Sequence, residues 1–283
     1  KVLLMEKAPR HLRGGNCPYT GGGFRFVHDG KNDLEPLLTN PSLMEQIDTI
    51  QPYTREQYCQ DMLSRTGHMT NPDLLDRLVT DSYSTVRWLA SLGISFELSG
   101  SSRTGRQGPH DSRVGVLASG SGLGLLDMLY KAAEQSGVVI VYDTKMISLS
   151  ENGLGEVNGV VCKDKEGTHT VISHAVVLAC GGFEANQEMR LKYLGPGWEQ
   201  AKVRGSMFNT GDGHRVALSI GAKPVGQWSG CHGTPIDLNA PSTGSPSSVD
   251  RLPRRSYPYG VMLNMRGERF VDEGKNFAVN NFI

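Results

Sequence analysis

No run of about 18 apolar residues occurs anywhere in this chain of 283 residues, so the sequence encodes no helical membrane span. Neither sign of charge dominates. Lys and Arg together number 29, as do Asp and Glu, and a net charge of zero argues against nucleic acid or an anionic membrane as the main partner. No C-x-x-C pair exists, and the five cysteines (Cys17, Cys59, Cys162, Cys180 and Cys231) are odd in number and far apart. That pattern supports neither a disulfide framework nor a zinc ribbon. It predicts no metal site and a reducing, cytoplasmic setting. No internal repeat and no secretory signal is visible.

Glycine, by contrast, is abundant: 35 residues, about 12 % of the chain where ~7 % is average. Such enrichment fits a backbone that must pass close to a large cofactor. The densest stretch, Gly14-Gly15-Asn16-Cys17-Pro18-Tyr19-Thr20-Gly21-Gly22-Gly23, follows the apolar run Val2-Leu3-Leu4-Met5 and the acid Glu6. A short strand ending in an acid, then a glycine-dense turn, is how nucleotide-binding folds hold a ribose and a pyrophosphate. The Glu6 carboxylate can accept both ribose hydroxyl protons, and glycines let backbone N–H groups approach phosphate oxygens. The G-x-G-x-x-G turn of such folds would lie about 20 residues before that acid, whereas Lys1 already stands within the second strand. The expectation is a fold represented incompletely.

Further along, apolar residues recur at helical spacing at Leu43, Met44, Ile47 and Ile50, and again from Leu74 to Leu89 after the cap signal Thr70-Asn71-Pro72-Asp73. Ser99 to Ser112 reads as a polar, glycine-rich loop, and Gly122 to Ser136 as a helix. The period then shortens to that of strands at Val138–Tyr142, Lys145–Leu149, Glu156–Lys163 and Thr170–Ile172. The apolar run Ala175-Val176-Val177-Leu178-Ala179-Cys180, ending in Gly181-Gly182, predicts a buried parallel strand. Asn209-Thr210-Gly211-Asp212-Gly213 opens a helix ending near Gly221, and residues 260–273 read as a hairpin turning near Met265 to Glu268.

Taken in order, these motifs resemble the flavoprotein subunits of fumarate reductase and succinate dehydrogenase, and within them the tricarballylate dehydrogenase branch. The residues that carry the resemblance are Glu6-Lys7-Ala8-Pro9-Arg10, Gly14-Gly15-Asn16, Ala179-Cys180-Gly181-Gly182-Phe183-Glu184-Ala185-Asn186, Tyr193 to Trp198, Asn209 to Gly213, Gln227-Trp228-Ser229-Gly230-Cys231-His232, and Arg269-Phe270-Val271-Asp272-Glu273-Gly274. The resemblance implies an α/β fold: a Rossmann-like, glutathione-reductase-type FAD-binding domain with an inserted α+β capping domain. Residues 1–225 would belong to the former and 226–283 to the start of the latter. It also implies FAD contacts from Glu6, Lys7, Gly14, Gly15, Asn16, Thr20, Gly21, Gly22, Gly23, Met146, Ala179, Gly181, Gly182, Asn209, Thr210, Gly211 and Asp212. Some members attach FAD through a histidine where this chain has Asn16, so flavin here should be non-covalent. Members of this family move a hydride between flavin N5 and a carbon–carbon bond flanked by carboxylates, and His232 matches their carboxylate-binding histidine. The partners implied are a small polycarboxylate and an electron donor or acceptor.

One departure stands out. Fumarate reductases place an arginine four residues after the Arg-Phe-x-x-Glu motif, where this chain has Phe277, and no arginine lies between Gly274 and Ile283. The family's remaining substrate residues would fall beyond Ile283, so a chain ending there is expected to turn over slowly. Arg251, Arg254 and Arg255 suit an anionic substrate, or equally a solvated face. Two other readings stay open: a ketosteroid-type flavin dehydrogenase, and a non-catalytic fragment that binds nucleotide or a partner chain.

Overall fold

A computed structural model describes residues 1–39, 47, 50–98, 115–233, 235–244 and 259–273. The expected helix at Leu43 and Met44, the loop from Ser99 to Ser112, Arg251, Arg254, Arg255 and Phe277 lie outside the described residues. The chain forms two compact units: residues 1–19 with 137–283, and residues 20–136. Strand β1 (Leu3–Met5) opens the first unit, and the chain leaves it after Tyr19.

The second unit begins with β2 (Gly23–Phe24) and a single helical turn, α1 (Lys31–Leu34). Helix α2 (Arg55–Arg65) starts on a capping box in which Thr54 and Gln57 satisfy each other's backbone donors. Helix α3 (Pro72–Ser91) has Asn71 as its cap, whose Oδ1 accepts from the Asp73 and Leu74 amides, with Pro72 in the first turn. Strands β3 (Phe96–Leu98) and β4 (Val116–Ala118) complete an antiparallel sheet in the order β2-β4-β3. Helix α4 (Ser121–Gln135) follows, within a residue of the predicted bounds. Phe26, Leu34, Tyr53, Phe96 and Val116, each 1 % exposed or less, form the centre of this unit.

The chain returns to the first unit with β5 (Val139–Val141), which pairs in parallel with β1, Leu4 opposite Ile140. Strands β6 (Lys145–Glu151), β7 (Val157–Lys163) and β8 (Thr168–Ile172) then build an antiparallel meander. Its first turn is shaped by Asn152, whose Oδ1 accepts from the Leu154 and Glu156 amides. Helices α5 (Gln187–Leu194) and α6 (Asp212–Ser219) flank a loop held by Arg190. That guanidinium, 5 % exposed, donates to the carbonyls of Trp198 (2.7 Å), Glu199 (2.8 Å), Ala201 (3.2 Å) and Glu184.

Two expectations are corrected here. Residues 175–180 form no strand, and Val177 is 88 % exposed. Apolarity permits a buried strand, but a strand also needs a neighbour to take its N–H and C=O groups. No strand among the described residues pairs with this segment. Residues 260–273 make a turn and not a two-stranded hairpin: Leu263 and Arg269 form one isolated antiparallel bridge, closed by Asn264 N–H donating to the Glu268 carbonyl at 2.9 Å. Among the described residues no helix is long and apolar enough to cross a membrane.

Candidate cofactor-binding site

The site grows from the end of β1. The Glu6 amide donates to the Val141 carbonyl at 2.8 Å, which carries the residue just past the parallel pair. Its carboxylate then folds over the following turn: Oε1 accepts from the Ala8 amide at 2.8 Å and Oε2 from the Gly14 amide at 3.0 Å. A carboxylate has about four acceptor positions, so two remain for external hydroxyl groups.

Lys7 points to residues some 200 positions later. Its Nζ donates to the Phe208 carbonyl at 3.0 Å, to Asp212 Oδ2 at 2.7 Å and to the Thr210 hydroxyl, using all three ammonium protons. Thr210 in turn donates to Asp212 Oδ2 at 2.8 Å. Asp212, at the start of α6, faces Lys7 at 2.7 Å, Lys145 at 3.2 Å and Arg215 at 3.9 Å. Burial works to raise the Asp212 carboxyl, but the hydrogen bonds from Lys7 and Thr210 and the Lys7 charge outweigh it and hold the group below its ordinary range. Three cations and a helix N-terminus thus meet a single carboxylate, which leaves a local excess of positive charge suited to an anion.

A second cluster binds the glycine turns together. Asn16 Nδ2 donates to Glu184 Oε1 at 2.5 Å, and Asn209 Nδ2 donates to the same oxygen at 2.6 Å. Asn16 Oδ1 accepts from the Ser206 amide at 2.9 Å. The neighbouring glycines leave the space these side chains fill. A Cβ on Gly205 would lie 2.5 Å from Asn16 Oδ1, one on Gly182 2.5 Å from Glu184 Oε2, and one on Gly15 3.2 Å from Asn209 Oδ1. Gly181, with φ of 69°, needs a left-handed backbone besides, and its Cβ would meet Asn209 at 3.0 Å. Backbone bonds add to the cluster: Gly211 N–H donates to the Gly182 carbonyl and Ala185 N–H to the Asn209 carbonyl, both at 3.0 Å. Phe183 stacks on Trp228 at 6.1 Å between ring centres, which joins two of the sequence motifs.

The structure therefore gathers Glu6, Lys7, Gly14, Gly15, Asn16, Gly181, Gly182, Asn209, Thr210, Gly211 and Asp212 into one connected set. Met146 lies on β6 opposite Cys162, beside Lys145. Ala179 is exposed in irregular backbone, as is His232. Thr20, Gly21, Gly22 and Gly23 belong to the other compact unit. There the Gly22 amide donates to the Thr20 hydroxyl at 3.2 Å, and a Cβ on Gly22 would lie 3.1 Å from the Ser121 backbone, so this glycine serves the close approach to α4. Glu184, Lys145 and Arg215 are participants that sequence reasoning missed. Glu184 stood inside a recognised motif, but nothing local marks which loops its carboxylate joins. Among the described residues no group of three His, Cys, Asp or Glu could hold a metal ion.

A probable fumarate reductase of Shewanella frigidimarina is 27% identical over 278 residues, 96% of this chain and 42% of the relative. A vinyl phenol reductase of Lactiplantibacillus plantarum is 27% identical over 99% of this chain and 52% of its own length. A 3-oxosteroid 1-dehydrogenase of Mycobacterium tuberculosis is 31% identical over 56% of this chain and 28% of its own. The chain thus spans about half, or less, of the curated relatives it matches. Among solved structures, the open conformation of a flavocytochrome c3 fumarate reductase shares the fold over 99% of this chain and 46% of that one, with a TM-score of 0.70 at 24% identity. The family model described as "FAD binding domain" matches residues 44–282, most of the sequence, and the chain belongs to that family.

Proposed function

We propose that this chain is the cofactor-holding part of an FAD-dependent oxidoreductase. It would transfer a hydride between flavin N5 and the carbon–carbon bond of a small polycarboxylate, tricarballylate-like or fumarate/succinate-like. The observation that carries the reading is the pairing of two features in one cluster. The Glu6 carboxylate is pinned by backbone amides with acceptor positions to spare, and three cations converge on Asp212 at the start of α6. A ribose diol and a diphosphate are the ligand parts that such groups bind. FAD, when bound, supplies the hydride chemistry. The chain's own residues would fix the ribose through Glu6 and balance phosphate charge through Lys145 and Arg215. Asn16 carries no group that could attach the flavin, so binding would be non-covalent. His232 would hold a substrate carboxylate, and residues 226–283 would begin the capping domain that contains it. An electron donor or acceptor is the further partner, in a reducing, cytoplasmic setting.

The 31% identity to a 3-oxosteroid 1-dehydrogenase favours a second reading, a ketosteroid-type dehydrogenase. The test is direct. The purified protein is measured for visible flavin absorbance, precipitated with acid, and the supernatant assayed for FAD. A loaded preparation is then offered fumarate, tricarballylate and a 3-ketosteroid. Released FAD and turnover of a polycarboxylate support the proposal, and turnover of the steroid alone replaces its substrate. A colourless protein that takes up no added FAD overturns it in favour of a non-catalytic fragment.

A further inference from the structure

Glu184 lies at the centre of the site, yet its carboxylate is turned toward two side-chain amides. Oε1 takes one N–H from Asn16 at 2.5 Å and one from Asn209 at 2.6 Å, which uses both of its lone pairs. An ionised carboxylate can only accept. It therefore decides which end of each asparagine faces it, a choice otherwise open because the two ends of an amide are nearly the same shape. With Nδ2 directed at Glu184, Asn16 presents Oδ1 to the Ser206 amide at 2.9 Å. Asn209, 6 % exposed, is left with its amide against Gly15 and Gly181. Glu184 is itself held from behind, because its main-chain carbonyl accepts from the buried Arg190 guanidinium. The absence of a Cβ at Gly182 and Gly205 gives the acid and Asn16 their room.

We propose that Glu184 is a positioning residue for the FAD cradle: by orienting the Asn16 and Asn209 amides, it sets the shape that the loops at 14–16, 181–184 and 205–212 present to the cofactor. This rests on the FAD reading above. The acid acts through the two asparagines. Its role is accordingly that of an acceptor at a fixed place, and its negative charge is secondary.

The experiment compares Glu184→Ala and Glu184→Gln with the unaltered protein, reading FAD dissociation constant by flavin fluorescence and thermal midpoint without FAD. Gln keeps an oxygen where Oε1 stands, and Ala removes it. The expected result is an FAD dissociation constant raised tenfold or more in the Ala variant and within about threefold in the Gln variant. A cycle with Asn16→Ala adds a readout that a merely structural role would not move. If Glu184 works through Asn16, the double variant Asn16→Ala/Glu184→Ala binds FAD more tightly than the product of the two single losses requires. If the Ala variant does not fold, the cycle is run with Glu184→Met, which keeps the bulk of the side chain and likewise removes the acceptor oxygen. Unchanged FAD affinity in a folded Ala variant, equal losses in Ala and Gln, or strictly multiplicative losses in the cycle would each overturn the assignment. Failure of the unaltered protein to bind FAD would overturn the cofactor reading instead, and this proposal with it.

Discussion

Residues 20–136 and the part of the chain that carries the candidate site are stabilised in different ways. The former has an apolar centre of Phe26, Leu34, Tyr53, Phe96 and Val116, with helices α2 and α3 capped by their own local side chains. In the latter, several of the deeply buried groups are polar: Arg190, Ser206, Asn209 and Glu273. There, loops far apart in sequence are joined by side-chain hydrogen bonds from Lys7 and Asn16, and Arg190 ties down the loop that follows its own helix. An apolar core is non-directional and tolerates approximate geometry. A polar cluster is directional, and each member depends on the others being present. The second kind of construction suits a region that must hold a polar ligand in one orientation.

Mutations should separate the two constructions. The largest effect is expected at Phe96, which is fully buried and edge-on to Phe24 at 5.5 Å. Phe96→Ala should cost about 3–5 kcal/mol of stability in urea denaturation. If it costs less than about 1 kcal/mol, the apolar centre is not what holds that unit. Arg190→Ala should cost about 2–3 kcal/mol, because four carbonyls lose a charged donor at once. An unchanged midpoint would show that the polar cluster is ornamental.

His232→Ala tests the substrate assignment. Loss of a charge-assisted contact of about 1.5–3 kcal/mol should lower kcat/KM for a polycarboxylate by roughly 10- to 100-fold, measured in steady-state kinetics on the complete protein. Wild-type kinetics would remove His232 from the site. Glu6→Ala should weaken FAD binding by roughly 1–3 kcal/mol in a fluorescence titration, through the lost charge-assisted bonds. Equal affinity for the two proteins would refute the ribose role.

The smallest effect concerns pH and sharpens the contrast. Glu273 accepts from the Met262 amide at 2.6 Å and from Arg269 at 2.6 and 2.9 Å. The Met262 amide first, then Arg269, pull its carboxyl from 4.5 down to about 2. A group depressed in the folded state stabilises above its unfolded value and loses that contribution as pH falls through the folded one. Stability should therefore decline as pH drops from about 4.5 to about 2, with Asp212 adding to the slope in the same direction. Acid titration of the thermal midpoint should show a shallower decline in Glu273→Gln. An identical slope would place the acid sensitivity elsewhere.

Much of the fold was legible because its causes are local. The helical spacing from Leu74 to Leu89 marked α3, and Asn71-Pro72 announced its start through bonds spanning three residues at most. The glycine motifs and the acid at Glu6 lie in the segments that the structure brings together around Lys7, Asp212 and Glu184. Their physical reasons were only partly legible. Gly15, Gly181 and Gly182 looked like approaches to a cofactor, and in the structure they also make room for Asn209 and Glu184. Residues 175–180 were not legible in the same way, because apolarity is local and pairing depends on a partner strand.

What the sequence determined alone is what neighbouring residues can enforce on one another: helix starts, turns, the period of strands, and the chemical types available at each motif. What only the tertiary structure decided is which distant groups meet. That Lys7 closes on Asp212, 205 positions away, and that Asn16 and Asn209 share one oxygen of Glu184, follows from how the loops pack. A hydrogen bond leaves no periodic trace in the sequence when its donor and acceptor are held on separate loops by the rest of the fold.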